Sequence, residues 1–191
     1  MAAVQRGLQR GLTGRRRTVV LCSDATILTE TPPLRASWSP VGEPARIEIT
    51  GNRRKAALYA TINIATGARC LDQAARWNGA SFRDHLRHIR RVWRGWHIIL
   101  FLDRGSPHTA AASRALAAAL DIELRWLPVA CPELNPVEDL WRWLKGRILC
   151  NHQRDDFADT IHTALDALES LTHHQTRTLA GILSNNFWLP T

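Results

Sequence analysis

Three acids stand out by where they fall in the chain. Asp24 follows a β-branched run, Thr18–Cys22 (TVVLC), and Asp103 follows a continuous apolar run, Trp96–Leu102 (WHIILFL). Glu138 is the third residue of a helix that Asn135 caps and Pro136 opens. Each position also has a plainer reading. An Asp just past a strand closes the next turn with its side chain, and Asn three residues before Glu resembles a capping box, worth about 1 kcal/mol. Two apolar strands that each end in Asp point further, because ligands of open α/β sheets gather outside the carboxyl ends of strands. A carboxylate in the first turn of a helix is held ionised by the helix N-terminus and projects toward the sheet edge. Three converging carboxylates repel one another, and one is forced to protonate. A divalent cation removes that cost, and all-oxygen ligation suits magnesium or manganese rather than zinc. With nucleic acid bound, two such ions about 3.5–4 Å apart clamp an in-line displacement at phosphorus. Repulsion among the three also predicts that Asp103→Asn holds or raises thermal stability.

The rest of the chain reads as the frame that positions these acids. Thr31–Pro44 holds four prolines and Gly42 and is a loop. Arg46–Thr50 alternates, Gly51–Lys55 turns and Ala56–Ile64 returns, which predicts a hairpin. A short strand follows through Arg69–Gln73. In Ser81–Trp93, the residues Phe82, Leu86, Ile89 and Trp93 share one helical face. Trp96–Leu102 has the character of a strand buried on both faces. Ser106 as N-cap and Pro107 as first helical residue start a helix running to Leu120. Ile122–Leu127 is a further strand. Pro136–Leu149 carries an apolar stripe of Val137, Leu140, Trp141, Leu144 and Ile148, and Phe157–Leu171 is a last helix. The order β-β-β-α-β-α-β-α-α implies an α/β fold, a mixed sheet with helices packed on it.

The composition fits this frame. A length of 191 residues suits one domain with a real core. With 45% apolar and 22% charged residues, wholesale disorder is excluded. No apolar run approaches the ~18 residues of a membrane span, and the basic first twenty residues lack the apolar core of a secretory signal. Cys22, Cys70, Cys131 and Cys150 form no C-x-x-C pair, which argues against a zinc ribbon or disulfide scaffold and for a reducing, cytoplasmic compartment. The net charge of +8 is uneven: residues 1–100 carry 17 basic and 6 acidic groups, and residues 101–191 carry 8 and 11. A basic half joined to an acidic half suggests a polyanion partner for the first.

The segments LCSDATILTETP, RASWSPVGEP, LFLDRGSPHTA and LPVACPELNPVEDLWRWLKGRI resemble the catalytic domain of mariner-type DDE transposases, in the branch of the bacterial insertion-sequence six-thirty family. The resemblance runs from Thr18 to Leu171. Its most specific part is PELNPVEDLW, with 34 residues between Asp103 and Glu138. It implies a ribonuclease-H-like fold, a mixed five-stranded sheet flanked by helices. It also implies a triad of Asp24, Asp103 and Glu138 that binds two magnesium or manganese ions, and cut-and-paste DNA transposition. The expected partners are double-stranded DNA (element ends and target), a helix-turn-helix region upstream or on another protein, and a second copy on DNA. No membrane is expected, and the place of action is the bacterial cytoplasm, at the nucleoid. Trp38 and Gly42 match the family's W-x-x-x-G loop, and His108 matches the histidine that follows the second aspartate. Ala25 and Arg104 depart from the acid and the asparagine usual there, and Arg104 sets a cation beside a proposed metal ligand. The organisation expected is a basic arm or linker remnant over 1–17 with no room for the helix-turn-helix reader, the catalytic domain over 18–172, and a C-terminal tail with helical potential over 173–191.

Other clusters weigh less. Arg53, Arg54 and Lys55, in the expected hairpin turn, can bind phosphates, and the resemblance supports them and His108 as DNA contacts. Arg83, Arg87, Arg90 and Arg94 form a stripe that reads first as a solvated face. His85 and His88 lie three apart on a helix and could ligate metal, but no nearby carboxylate or cysteine completes a site. Asp139 and Glu133 rival Glu138, but Asp139 is turned by about 100° on the helix. A non-enzymatic reading also stands: a silent remnant, or a DNA-binding accessory piece that keeps the fold. A nuclease of another ribonuclease-H-like class fits the 34-residue spacing less well.

Overall fold

A computed structural model describes residues 17–188. The expected arm over 1–17 falls, apart from Arg17, outside the described residues. Five strands form one mixed sheet in the order β3-β2-β1-β4-β5. They are β1 (Thr18–Thr29), β2 (Lys55–Asn63), β3 (Arg69–Ala74), β4 (His97–Leu102) and β5 (Ile122–Trp126). β1 pairs antiparallel with β2 and parallel with β4; β2–β3 is antiparallel and β4–β5 parallel. The helices are α1 (Gly79–Val92), α2 (Ser106–Thr109), α3 (Ala111–Ala119), α4 (Pro136–Trp143), α5 (Phe157–Glu169) and α6 (His173–Leu179).

Side-chain alternation along the central strands builds two cores. Leu21, Ile98 and Leu100 point to one face, where Phe82, Leu86 and Ile89 of α1 cover them. Cys22, Ile62, Ile99 and Phe101 point to the other, against Val137, Leu140 and Trp141 of α4 and Leu168 of α5. The chain beyond α6 returns to this second core: Ala180 and Ile182 are buried, and the Trp188 Nε1–H donates to the Leu134 carbonyl at 2.8 Å.

Several expectations need correction. The first strand does not end at Cys22. It continues to Thr29, because β2 pairs with it as far as Thr29–Lys55. The hairpin is therefore β1–β2, and Arg46–Thr50 lies in its long connection with no strand assigned. With β1 on one edge of β2 and β3 on the other, no edge is left for it. Gly51–Arg54 ends that connection, and Lys55 opens β2. The helix expected from Ser106 to Leu120 is two pieces, broken at Ala110, whose ψ of 137° is extended. Its N-cap is Gly105 rather than Ser106. α4 passes into a π-helical turn over Leu144–Ile148.

Candidate active site

The sheet register brings the two aspartates together. Cys22 is paired with Phe101 across the parallel β1–β4 ladder. Two residues further on, Asp24 and Asp103 leave that ladder side by side with the same facing. Asp24 is thus inside β1, opposite Ala60 of β2, rather than after the strand. Glu138 is delivered by the first turn of α4. Asn135 caps that helix through its side chain, which accepts from the Val137 N–H at 3.2 Å. The same amide donates through Nδ2 to the Ser23 carbonyl at 3.1 Å, tying the start of α4 to β1 beside Asp24. Asp24, Asp103 and Glu138 line one cleft of about 390 Å³, closed by Arg104, Gly105 and the loop from Leu127 to Pro132. Among the described residues, the Cys, His and carboxylate group whose ligand atoms all lie within 4.8 Å is Cys70, Asp72 and His85, not these three acids.

The environments of the two aspartates push them apart. Asp24 is 7% exposed and accepts from the Trp141 Nε1–H at 2.9 Å. Burial raises its pKa to about 7, and the Glu138 and Asp103 charges add to the rise against the Ala25 N–H and Trp141 donors. Asp103 is open to solvent, and its pKa is lowered. His108 Nδ1 lies 2.5 Å from Oδ1, and the Gly105 N–H donates to the same oxygen at 3.0 Å. The repulsion among the acids therefore falls on Asp24. Relief by neutral substitution is greatest there; Asp103→Asn, the substitution expected from sequence, removes one of the two charges that raise Asp24.

His108 is itself corrected. Its side chain is 3% exposed, held between Asp103 and the Phe82 ring 4.5 Å away, so it orients a carboxylate instead of meeting DNA. Arg54 is committed too: Nε and Nη2 grip Glu30 at 2.9 Å each, and Nη2 also reaches Asp156 at 3.0 Å. Arg53 and Lys55 remain exposed beside it. They line a second cleft of about 440 Å³ that Lys145, His152 and Arg154 make basic. Asp139 pairs with Arg142, and Glu133 is exposed in the turn before α4, so neither lines the acidic cleft. In the arginine stripe, Arg87 pairs with Asp84 and Arg90 donates to the Trp96 carbonyl at 2.8 Å. Trp38 of the W-x-x-x-G loop is fully exposed.

Sequence reasoning missed Trp141 as the donor to Asp24, because its place in the apolar stripe explained it completely. It also missed the second bond of Asn135 and the partner of His108. The only signal for the latter was the five-residue step from Asp103 across a Gly-Ser-Pro turn.

Comparison with known proteins follows the same lines. Residues 19–161 match the family described as DDE superfamily endonuclease. The chain is 34% identical over 82 residues to the uncharacterized protein y4pE/y4sA of Sinorhizobium fredii, a stretch covering 42% of this chain and 58% of that protein. The structure resembles the mariner Mos1 paired-end complex with Mg at a TM-score of 0.69 and 17% identity, over 94% of this chain and 55% of that one. It resembles the catalytic domain of Mos1 mariner transposase at a TM-score of 0.60 and 13% identity, over 92% of this chain and 82% of that one. The chain thus spans little more than half the length of the curated relative and of the Mos1 transposase chain in the paired-end complex.

Proposed function

This chain belongs to the DDE superfamily endonucleases, and we propose that it is the catalytic core of a mariner-like transposase, cutting DNA at element ends and joining the freed 3′-hydroxyl to a target. The observation that carries the reading is the buried Asp24, its pKa near 7, in one cleft with Asp103 and Glu138. A carboxylate pushed this far by its neighbours is a site short of positive charge.

The donor set fits magnesium or manganese: three carboxylates line the cleft, while the Cys131 thiol beside them donates to the Val129 carbonyl and the His108 ring is taken up by Asp103. When bound, such ions polarise the scissile phosphate and supply the nucleophilic oxygen. The chain's own residues do the rest. Trp141 fixes one oxygen of Asp24 where that residue lines the cleft. His108 and the Gly105 N–H hold Asp103 ionised at neutral pH. Asn135 sets the distance of Glu138 from β1 by bonding to both elements. Arg53, Lys55, Lys145 and Arg154 line the basic cleft at the far end of β1, where a phosphate backbone leaving the acidic cleft meets cations. Arg54, tied to Glu30, shapes that wall.

Finer parts of the reading travel with it: two ions per site with DNA bound, a helix-turn-helix region or partner that reads the element ends, a homodimer on DNA, and action at the bacterial nucleoid. Among the described residues no helix is long and apolar enough to cross a membrane. Arg104 favours a second reading, a silent remnant that binds DNA without cutting it, since a basic residue lines the acidic cleft. Nicking of supercoiled DNA in manganese separates the two. The transposase reading expects nicking by the wild-type chain and none by Asp103→Asn with an unchanged circular-dichroism spectrum. Nicking that survives in Asp103→Asn contradicts it, and wild-type protein that binds DNA without nicking it supports the remnant.

A further inference from the structure

Ser23 points away from the acidic cleft, into the layer between the sheet and α1. A polar chain starts there. Ser23 Oγ donates to the Ala60 carbonyl at 3.3 Å, Thr61 Oγ1 donates to Ser23 Oγ at 2.9 Å, and His85 Nε2 lies 2.8 Å from Thr61 Oγ1. Ser23 Oγ also lies 3.4 Å from His85 Nε2, so both hydroxyls engage this ring nitrogen. The other ring nitrogen, Nδ1, faces Asp72 Oδ2 at 2.5 Å, and Asp72 Oδ1 faces His88 Nδ1 at 2.8 Å. Cys70 lies two residues before Asp72 on β3 and therefore on the same face. Its Sγ, an Asp72 oxygen and a His85 ring nitrogen all lie within 4.8 Å of one another. The fold thus supplies the cysteine and carboxylate that sequence proximity denied to His85 and His88.

Two features make this a ligand set. The first is the convergence at His85. Sulfur, carboxylate oxygen and ring nitrogen converge there, with Cys70 and His85 buried and His85 Nδ1 only 2.5 Å from Asp72 Oδ2. The second is the donor set: thiolate, carboxylate and two imidazoles, paired i,i+2 on a strand and i,i+3 on a helix. Tetrahedral zinc bonds of about 2.0–2.3 Å place ligand atoms about 3.3–3.8 Å apart, so closure of Cys70, Asp72 and His85 takes shifts of about 1 Å, and His88, 2.8 Å from Asp72, is the neighbouring imidazole for the fourth position. The His85–Thr61–Ser23 chain is the outer hydrogen bond that metal-ligating histidines almost always carry.

We propose that Cys70, Asp72, His85 and His88 bind one zinc-type divalent cation that fastens the edge strand β3 to α1. The ion enters from the Asp72–His88 side, where about a third of each side chain is exposed (31% and 32%). It displaces the Cys70 thiol proton and any proton held between His85 and Asp72. The site shares no ligand with the acidic cleft and stands independently of the reading of that cleft.

The test is elemental analysis of the whole chain purified without chelator, followed by cobalt(II) titration of the stripped protein. The expected result is one zinc per chain and a cobalt–thiolate charge-transfer band in the near ultraviolet, equally strong in Asp103→Asn and lost in Cys70→Ser. The half-exposed His88→Ala, which leaves the buried members in place, is expected to bind zinc at least about 10-fold more weakly. Absence of both zinc and the band from the wild-type chain overturns the proposal, as does a band that persists in Cys70→Ser. Unchanged zinc affinity in His88→Ala overturns the four-ligand site.

Discussion

Ser23 and Asp24 are consecutive on β1, yet their side chains enter two polar environments built on opposite principles. On the α1 face, Ser23, Thr61 and His85 pass hydrogen bonds from one to the next, and the chain ends on Asp72. On the α4 face, Asp24 has one side-chain donor, Trp141, against the charges of Glu138 and Asp103. The first environment closes within the protein, each member bonded to the next. The second leaves negative charge uncompensated in a cleft open to solvent. A buried polar network that satisfies itself serves stability and strand placement. A buried carboxylate that its neighbours destabilise serves a ligand that has yet to arrive.

The same chemical change on the two faces is expected to act with opposite sign. At pH 8 without metal, Asp24→Asn removes a charge that the fold holds at a cost, and stability is expected to rise by about 2–4 kcal/mol. Asp72→Asn takes away the acceptor shared by His85 and His88 and is expected to lower stability by about 2–3 kcal/mol, discounted for its partial exposure. Urea unfolding of both variants beside the wild type checks the pair. Equal signs would erase the distinction between the faces.

Smaller effects sharpen the acidic side. His108→Ala leaves Asp103 without its imidazole donor, and the manganese concentration for half-maximal nicking is expected to rise about 10–100-fold. The dose dependence of nicking reads this directly. Arg104→Asn removes the cation from the cleft mouth, and the same concentration is expected to fall about 2–5-fold, the scale of one solvent-screened charge. A fall in salt-sensitive DNA affinity without any change in metal demand would place Arg104 with the phosphate contacts instead.

How much of this was legible in the chain depended on range. Glu138 was readable because its placement is local: Asn135 and Pro136 define the helix start, and the stripe from Val137 to Ile148 defines the buried side. The aspartates were readable as a pair because WHIILFL and TVVLC end beside them, although β1 runs past Asp24. That extension depends on β2, which pairs through Thr29–Lys55, and register across a long connection leaves no local trace. His108 was expected to contact DNA for the same reason; only the packing of α2 against Phe82 turns it inward. Of the Cys70–Asp72–His85–His88 group only the histidine pair was legible, because the two halves sit on a strand and a helix that only the sheet edge brings together.

The claim that Asp24 is held in a charge-deficient site is tested most directly by melting temperature against pH, for wild type and Asp24→Asn, with chelator and with manganese. Asp24 ionises near 7 in the fold against 3.8 for a free side chain. Between these values the folded chain holds a proton that the unfolded chain has released. Metal-free stability therefore falls as pH rises through that window and levels off above it. The account predicts that the wild-type curve drops below that of Asp24→Asn between about pH 4 and 8 and that manganese closes the gap at pH 8. Parallel curves for the two proteins, with the same response to manganese, would contradict it.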